Sequence, residues 1–154
     1  MNTLLKICCE VERTVAAIYH QLAEDQTLSL EVRSMFRELA RDEEDHAIQL
    51  ECALEVPREL MESQVEVDAA LGKAQSLLEK ARLILDGLER HPISQADVLK
   101  ISMELEKNFR EMHLFALVTF PDEKTKKMFS RFARYEADHL ALLKTFRKGY
   151  APVS

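Results

Sequence analysis

Glycine, proline and tryptophan are scarce in this sequence. The 154 residues include three Gly, four Pro and no Trp, so the chain is poor in the residues that form turns and interrupt helices. Hydrophobic residues make up 47% of the chain, which is enough to bury the core of one ordinary domain. We therefore expect a single all-α domain over residues 1–154.

The sequence also has no surplus of positive charge. Its formal net charge is -6 at pH 7, and acidic and basic residues alternate along the chain. Binding to a phosphate backbone requires a stripe or patch of Lys and Arg. We therefore expect no nucleic-acid partner.

Long hydrophobic runs are missing as well. No stretch of about 18 apolar residues occurs, and the first residues, MNTLLKICCEVERT, reach Glu10 before they could form the apolar region of a signal peptide. We expect no membrane partner and a cytoplasmic location.

Cysteines are few, and none has the Cys-x-x-Cys spacing of a structural zinc or rubredoxin site. The three are Cys8, Cys9 and Cys52, an odd number that does not suggest a disulfide framework. We expect reduced thiols that behave as small buried apolar residues on helices. The alternative is that Cys8 or Cys9, about one turn before Glu12, is oxidised beside a redox site.

Apolar residues recur at intervals of three and four along five segments, as on the buried face of an α-helix. The pattern predicts helices over about Thr3–Glu24, Leu30–Leu54, Ala74–Arg90, Ser94–Thr119 and residues 123–148. Ser94 followed by Asp97 resembles a capping box at the start of the fourth helix. Residues 56–73 are acidic with mixed periodicity, and either a helical excursion or a loop fits them. The segment from about 56 to 95 is thus an extra connection with an additional helix.

Two of these helices carry nearly the same eleven residues. Phe36–His46 reads FRELARDEEDH and Phe129–His139 reads FSRFARYEADH. Phe, Ala, Arg, Glu, Asp and His stand at the same offsets, and both segments contain Glu-x-x-His. The repeated spacing indicates that the chain contains two copies of one unit.

A further glutamate lies inside the apolar stripe of the helix that precedes each repeat. Glu12 comes 31 residues before Glu43, and Glu106 comes 30 residues before Glu136. Each half therefore has the form of a helix with one inward Glu, a turn, and a helix with inward Glu-x-x-His. Packing the two hairpins antiparallel would bring these residues together in a four-helix bundle.

The spacing of Glu-x-x-His suits metal binding, because residues three apart lie on one face of a helix. The cluster would contain four carboxylates and two imidazoles, from Glu12, Glu43, His46, Glu106, Glu136 and His139. Burying four carboxylates without cations would cost several kcal/mol each. Two divalent ions would remove this cost, and mixed carboxylate and imidazole ligands suit Fe or Mn and also accept Zn.

The sequence resembles the rubrerythrin-like branch of the ferritin-like di-iron carboxylate superfamily. ICCEVERTVAAIYHQLAE and ISMELEKNFREMHLFAL resemble its first and third helices, where an aromatic residue, usually Tyr, follows the Glu by seven positions. FRELARDEEDHAIQL and FSRFARYEADHLALL resemble its second and fourth helices. The resemblance covers about residues 4–54 and 96–146. It implies a ferritin-like antiparallel four-helix bundle made from two helical hairpins.

The resemblance also implies a distribution of the ligands between two iron ions. Glu43 and His46 would bind one ion, and Glu136 and His139 the other. Glu12 and Glu106 would complete the set, with Glu43 and Glu136 as bridges. Tyr19 would lie beside these ligands.

The activity implied by the resemblance is the reduction of hydrogen peroxide or dioxygen at a di-iron centre. The Cys-x-x-Cys domain that supplies electrons in full-length rubrerythrins is missing, so a separate donor such as a rubredoxin-like protein would be needed. We also expect a homodimer. Two features depart from the pattern: Met103 and Phe109 leave no additional Glu one turn from Glu106, and His113 stands where Tyr is expected.

Two other functions remain open: non-catalytic or ferroxidase-type iron binding and storage in a larger assembly, and a helical interaction module with a degenerate site. We expect His113 to pack or hydrogen-bond beside the ligands. The polar residues expected at the surface are His20, Arg41, Asp45, His91, Arg134 and Asp138.

Overall fold

The computed structural model describes residues 2–56 and 64–149, and these residues form five α-helices and no strand. The helices are α1 (Asn2–Glu24), α2 (Leu30–Leu54), α3 (Gln64–Arg90), α4 (Gln95–Thr119) and α5 (Glu123–Gly149). The all-α prediction is confirmed for this part of the chain. From the sequence, Pro57 should stop the second helix, because proline disfavours helix in the residue before it, and residues 151–154 should form a tail. Both expectations concern positions outside the described residues.

Serine side chains begin two of the helices. The Ser29 hydroxyl accepts a hydrogen bond from the Val32 N–H at 3.3 Å, and the Ser94 hydroxyl accepts one from the Asp97 N–H at 3.2 Å. Each bond satisfies a backbone donor that the first turn of a helix leaves free. The helix start predicted at Ser94 is thereby confirmed.

Two antiparallel hairpins make up most of the fold, with α1 packed on α2 and α4 packed on α5. In the first hairpin, the rings of Tyr19 and Phe36 meet near the connection, with centroids 5.5 Å apart. The contact between Cys9 and Ala47 lies further from the connection on both helices. Both predicted hairpins are therefore present, and α2 and α5 also pack against each other.

Helix α3 returns the chain to the end of the bundle where α2 begins. It packs against α1 and α4, and Ser29 at the start of α2 donates its N–H to Gln95 Oε1 at the start of α4, at 2.8 Å. The helices α2 and α4 consequently start at the same end and run in the same direction. This arrangement needs one long connection between the hairpins, and α3 supplies it.

The additional helix begins earlier than the sequence indicated. Its predicted start is Ala74, whereas α3 begins at Gln64. Val67, Ala70 and Ala74 are buried one turn apart, so the early part of α3 does have an inward face. Small residues form most of that face, which explains why the hydrophobic periodicity of this segment is weak. The remainder of the uncertain segment, residues 57–63, lies outside the described residues.

The inward faces predicted from the sequence pack together in one hydrophobic core. The largest fully buried side chains include Tyr19 and five phenylalanines: Phe36, Phe109, Phe120, Phe129 and Phe132. Among the described residues, no helix combines the length and the apolar character needed to cross a membrane. A group of buried ionisable side chains lies near the middle of this hydrophobic core.

Candidate metal centre

Six ionisable side chains from four helices meet inside the bundle. They are Glu12 on α1, Glu43 and His46 on α2, Glu106 on α4, and Glu136 and His139 on α5. Each is 4% exposed or less. These are the six residues selected from the sequence as metal ligands, and the fold brings all of them together. Their binding of metal ions stays a prediction.

Two overlapping groups of these residues could each hold a metal ion. The His46 group consists of Glu12, Glu43, His46 and Glu136, and the His139 group consists of Glu43, Glu106 and His139. Within each group, one potential ligand atom per residue lies within 4.8 Å of every other. Glu43 belongs to both groups, which is the position that a bridging carboxylate requires.

Glu136 lies in a different group from the one that the family resemblance implied. The resemblance paired it with His139, whereas its Oε1 atom lies 3.7 Å from His46 Nδ1 and it is a member of the His46 group alone. The Glu-x-x-His spacing does not set this grouping, because Glu43 and His46 have the same spacing and belong to one group. The position of Glu136 beside His46 depends instead on how α5 packs against α2. A bridging role for Glu136 stays a prediction.

Both imidazole rings turn their Nδ1 atoms toward the cluster. His46 Nδ1 lies 3.0 Å from Glu43 Oε2, and His139 Nδ1 lies 3.3 Å from Glu43 Oε1 and 3.4 Å from Glu106 Oε2. Glu43 therefore presents one carboxylate oxygen to each histidine. The Glu-x-x-His spacing explains the first of these contacts, because residues three apart on a helix are neighbours.

Seven buried polar atoms at this centre make no hydrogen bond within the part of the chain that the structure describes. They are Glu12 Oε1 and Oε2, Glu43 Oε1, Glu106 Oε2, His113 Nε2, Glu136 Oε1 and His139 Nδ1. Buried polar atoms are rarely left without a partner, because the loss of hydration is not compensated. Carboxylate oxygens and ring nitrogens are also the atoms that bind Fe, Mn and Zn. The donor set therefore fits divalent metal ions.

Burial and the charges of neighbouring groups have opposing effects on the pKa values of these residues. Burial raises the pKa of Glu136 to about 7 in spite of the nearby His113. Burial would also raise the pKa of Glu12, but His113 and His46 outweigh it and lower that pKa to about 2. Burial would lower the pKa of His46, but Glu12 and Glu43 raise it to about 11. Protons therefore compete with metal ions for the same atoms.

An aspartate that the sequence analysis did not select holds the outer side of one ring. His139 Nε2 lies 2.8 Å from Asp42 Oδ2, and Asp42 is on the neighbouring helix α2. Asp45 and Asp138, the aspartates that recur in both repeats, are exposed at the surface as expected. The sequence did contain a signal for Asp42, which directly precedes Glu43. Adjacent residues of a helix are rotated by about 100° from each other, and this rotation places Asp42 on the side of α2 that faces α5.

Tyr19 and His113 occupy matching positions in the two hairpins, seven residues after Glu12 and Glu106 respectively. The Tyr19 hydroxyl donates a hydrogen bond to Glu106 Oε1 at 2.6 Å. His113 contacts Glu136 through Nδ1, at 2.8 Å, which confirms that this histidine is packed and hydrogen-bonded beside the cluster. Tyr19 thus contacts a glutamate of the second hairpin, and His113 contacts a glutamate on α5, the helix that pairs with its own.

Aromatic side chains surround the cluster and separate it from water. The Phe132 ring lies 4.3 Å from that of His46, centroid to centroid, and Phe109 stacks on His113 at 5.6 Å. Tyr135, which is 46% exposed, lies 5.2 Å from the His46 ring on its outer side. Apolar walls lower the local dielectric and strengthen the electrostatic interactions among the buried charges.

The cysteines only partly match the expectation from the sequence. Cys8 and Cys9 are buried and all three thiols are free, but Cys52 is exposed. The prediction of a buried Cys52 is wrong because this residue follows the inward Leu50 by two positions. Two positions on a helix correspond to a rotation of about 200°, which turns Cys52 to the outer face.

The remaining polar residues expected at the surface are exposed, namely His20, Arg41, His91 and Arg134.

Comparison of the chain with protein-family models, with curated proteins and with solved structures finds no match. The description of the protein therefore rests on its fold and on its buried ionisable residues. It is a helical bundle with buried glutamates and histidines that could hold metal ions.

Proposed function

We propose that this protein is a di-iron carboxylate oxidoreductase of the rubrerythrin-like type. It would reduce hydrogen peroxide or dioxygen with electrons from a separate donor. The observation that carries the proposal is the pair of buried ligand groups that share Glu43. A shared carboxylate between two metal positions permits two ions to act on one small molecule.

The order and direction of the helices support a ferritin-like arrangement. Ferritin-like bundles consist of helical hairpins joined by one long connection. They take one Glu from each of two helices and Glu-x-x-His from each of the other two. The chain has hairpins α1–α2 and α4–α5, and α3 is the long connection between them. Its buried residues follow the same distribution over the four helices.

The residues of the centre would divide the work of binding between them. The His46 group and the His139 group would hold one ion each, with Glu43 between them. Two bound iron ions would supply the two electrons that convert hydrogen peroxide and two protons to two water molecules. Manganese or zinc would also fit these ligands, since affinity alone does not select among divalent metals.

The protein itself would orient the ligands and exclude water. Asp42 and Tyr19 hold His139 and Glu106 through contacts of 2.8 Å and 2.6 Å. Phe132 and Phe109 close the apolar side of the centre. Such a dry, pre-arranged site strengthens electrostatic interactions with charge that develops during a reaction.

The test is an anaerobic titration of the metal-free protein with Fe(II), in which bound iron is counted per chain. We expect two ions per chain, and mixing the loaded protein with peroxide or with dioxygen would then show which oxidant reacts faster. One ion or none per chain would contradict the proposal. Two ions with no reaction toward either oxidant would contradict the oxidoreductase function and leave metal binding.

Thermal unfolding gives an independent test of metal binding. A ligand that binds only the native state raises its stability by mass action, by about 2.7 kcal/mol at a hundredfold excess over Kd. We therefore expect Fe(II), Mn(II) or Zn(II) to raise the Tm. A melting temperature that ignores all three metals would indicate a helical module with a degenerate site.

A further inference from the structure

His113 is fully buried at the metal centre, yet it is not part of either ligand group. It lies on α4 seven residues after Glu106, about two helical turns further along, and so faces the same side of the helix. The ring centroids of Phe109, Phe129 and Phe132 lie 5.2–5.7 Å from that of His113. The imidazole ring therefore has a fixed place beside the cluster.

The two nitrogens of His113 face two carboxylates of the His46 group. Nδ1 lies 2.8 Å from Glu136 Oε2, and Nε2 lies 2.8 Å from Glu12 Oε1. The first contact is a hydrogen bond, whereas both Nε2 and Glu12 Oε1 lack a hydrogen-bond partner. Tyr19, at the matching position of the first hairpin, hydrogen-bonds to the single carboxylate of Glu106.

The chemistry of imidazole explains why the contact with Glu12 is significant. A neutral imidazole has one N–H donor and one nitrogen lone pair. When Nδ1–H donates to Glu136, the Nε2 nitrogen can face the Glu12 oxygen at 2.8 Å only with a proton or another cation bound there, because two acceptors would otherwise meet in a buried place. A cation bound by both atoms removes that conflict, and Nε2 of a neutral imidazole is a common metal ligand.

We propose that His113 Nε2 is a third imidazole ligand of this centre and belongs to the His46 group. The inference rests on the proposed metal-binding function and adds a residue for which the family pattern has Tyr. The His46 group would then contain three carboxylates and two imidazoles, and the His139 group two carboxylates and one imidazole. The two metal positions are therefore chemically different.

The difference predicts a preference between the positions. Imidazole ligands suit Zn, Cu, Fe and Ni, while carboxylates suit Mn and Mg. The His46 group would thus bind Zn(II) more tightly than the His139 group. The Glu136 carboxylate would accept a hydrogen bond from Nδ1–H and so fix which nitrogen of His113 faces the metal.

The test counts metal-bound histidines directly. The protein is labelled with ¹⁵N-histidine, loaded with Co(II), and its strongly shifted, exchangeable ring N–H signals are counted by NMR. We expect three such signals, from His46, His113 and His139, and we expect the His113→Tyr variant to show two. The same variant should bind Zn(II) more weakly at one of its two positions.

Two variants serve as matched controls. His91→Tyr and His20→Tyr each replace an exposed histidine outside the two ligand groups, so both should keep three signals. Two bound ions with only two signals in the unmodified protein would overturn this inference and leave the proposed function standing. Three signals in His113→Tyr would also overturn it. Failure to bind any Co(II) would overturn the inference and the proposed function together.

Discussion

Asp42 Oδ2 lies 2.8 Å from His139 Nε2 and links the second helix to the fifth across the bundle. The other nitrogen of the same ring faces Glu43 and Glu106. The side chain of Asp42 is 40% exposed, whereas His139 is buried, so the pair connects the solvent with the centre. In the second repeat, the corresponding residue is Tyr135, and no carboxylate of the described residues forms such a contact with the outer side of His46.

The substitution Asp42→Asn should weaken metal binding in the His139 group. A carboxylate that accepts the outer N–H of a metal-bound histidine orients the ring and raises its basicity, and its loss costs roughly 10–100-fold in metal affinity. Calorimetric titration with Zn(II) would measure this loss at one of two positions. Asp45→Asn changes an exposed aspartate of the same helix and should bind as the unmodified protein does. Equal affinities for the two variants would contradict the role of Asp42.

Replacement of Glu43 by Gln should impair both metal positions. Glu43 is the residue shared by the two ligand groups, and a neutral amide is a weaker metal ligand than a carboxylate. Metal analysis after equilibrium dialysis should therefore give fewer than two ions per chain. The neighbouring Glu44 provides a matched control, because it is exposed and contacts His20 at 2.6 Å. Two ions bound to Glu43→Gln, or a loss in Glu44→Gln with the helical content intact, would contradict the assignment.

Removal of the Tyr19 hydroxyl should destabilise the metal-free protein. Its hydrogen bond to Glu106 is buried and 2.6 Å long, and hydrogen bonds to charged groups contribute about 1.5–3 kcal/mol. We expect Tyr19→Phe to lower the free energy of unfolding by about that amount in urea titrations. Tyr135→Phe alters a tyrosine that is 46% exposed, and its effect should stay within about 0.5 kcal/mol. Equal effects of the two substitutions would show that the Tyr19 hydroxyl has no special role.

The helices and the six clustered residues could be predicted from the sequence because both depend on local periodicity. Glu43 and His46 are fixed on one face of α2 by their spacing, and the same holds for Glu136 and His139 on α5. The apolar neighbours of each pair, such as Phe36 and Phe129, show which face is inward. A pattern that repeats twice at equal offsets strengthens the prediction, because each copy tests the other.

The partners across the bundle could not be predicted in the same way. Periodicity shows that Glu136 faces inward, but its grouping with His46 depends on how α5 is shifted along α2. Asp42 meets His139 for the same reason, since the contact joins residues 97 positions apart. The sequence left residues 56–73 open between a helix and a loop, because a face made of Ala and Val gives little contrast in hydrophobicity; the helix holds from Gln64 onward.

The stability of the metal-free protein should decrease as the pH rises from about 6.5 to about 10. Burial would lower the pKa of His113, but Glu136 and Glu12 raise it from 6.5 to about 10. The native state therefore binds more protons than the unfolded state across this range, and its free energy of unfolding falls with increasing pH. Stability from this group is fully present below about pH 6.5 and is lost as the pH passes about 10. Urea unfolding at a series of pH values would measure the decrease, which should be on the order of a few kcal/mol.

The variant His113→Gln provides the control for this pH dependence, because the glutamine side chain does not titrate. Above pH 6.5, its free energy of unfolding should fall less steeply with pH than that of the unmodified protein. His46 keeps some slope in that variant, since Glu12 and Glu43 outweigh burial and raise its pKa to about 11. Divalent metal should reverse the trend, because protons and metal ions compete for the same nitrogens and carboxylates and binding tightens as protons leave. The prediction is contradicted if the stability of the metal-free protein is constant or rises between pH 6.5 and 10. Such a result would show that the surrounding carboxylates do not keep the buried histidines protonated in this range.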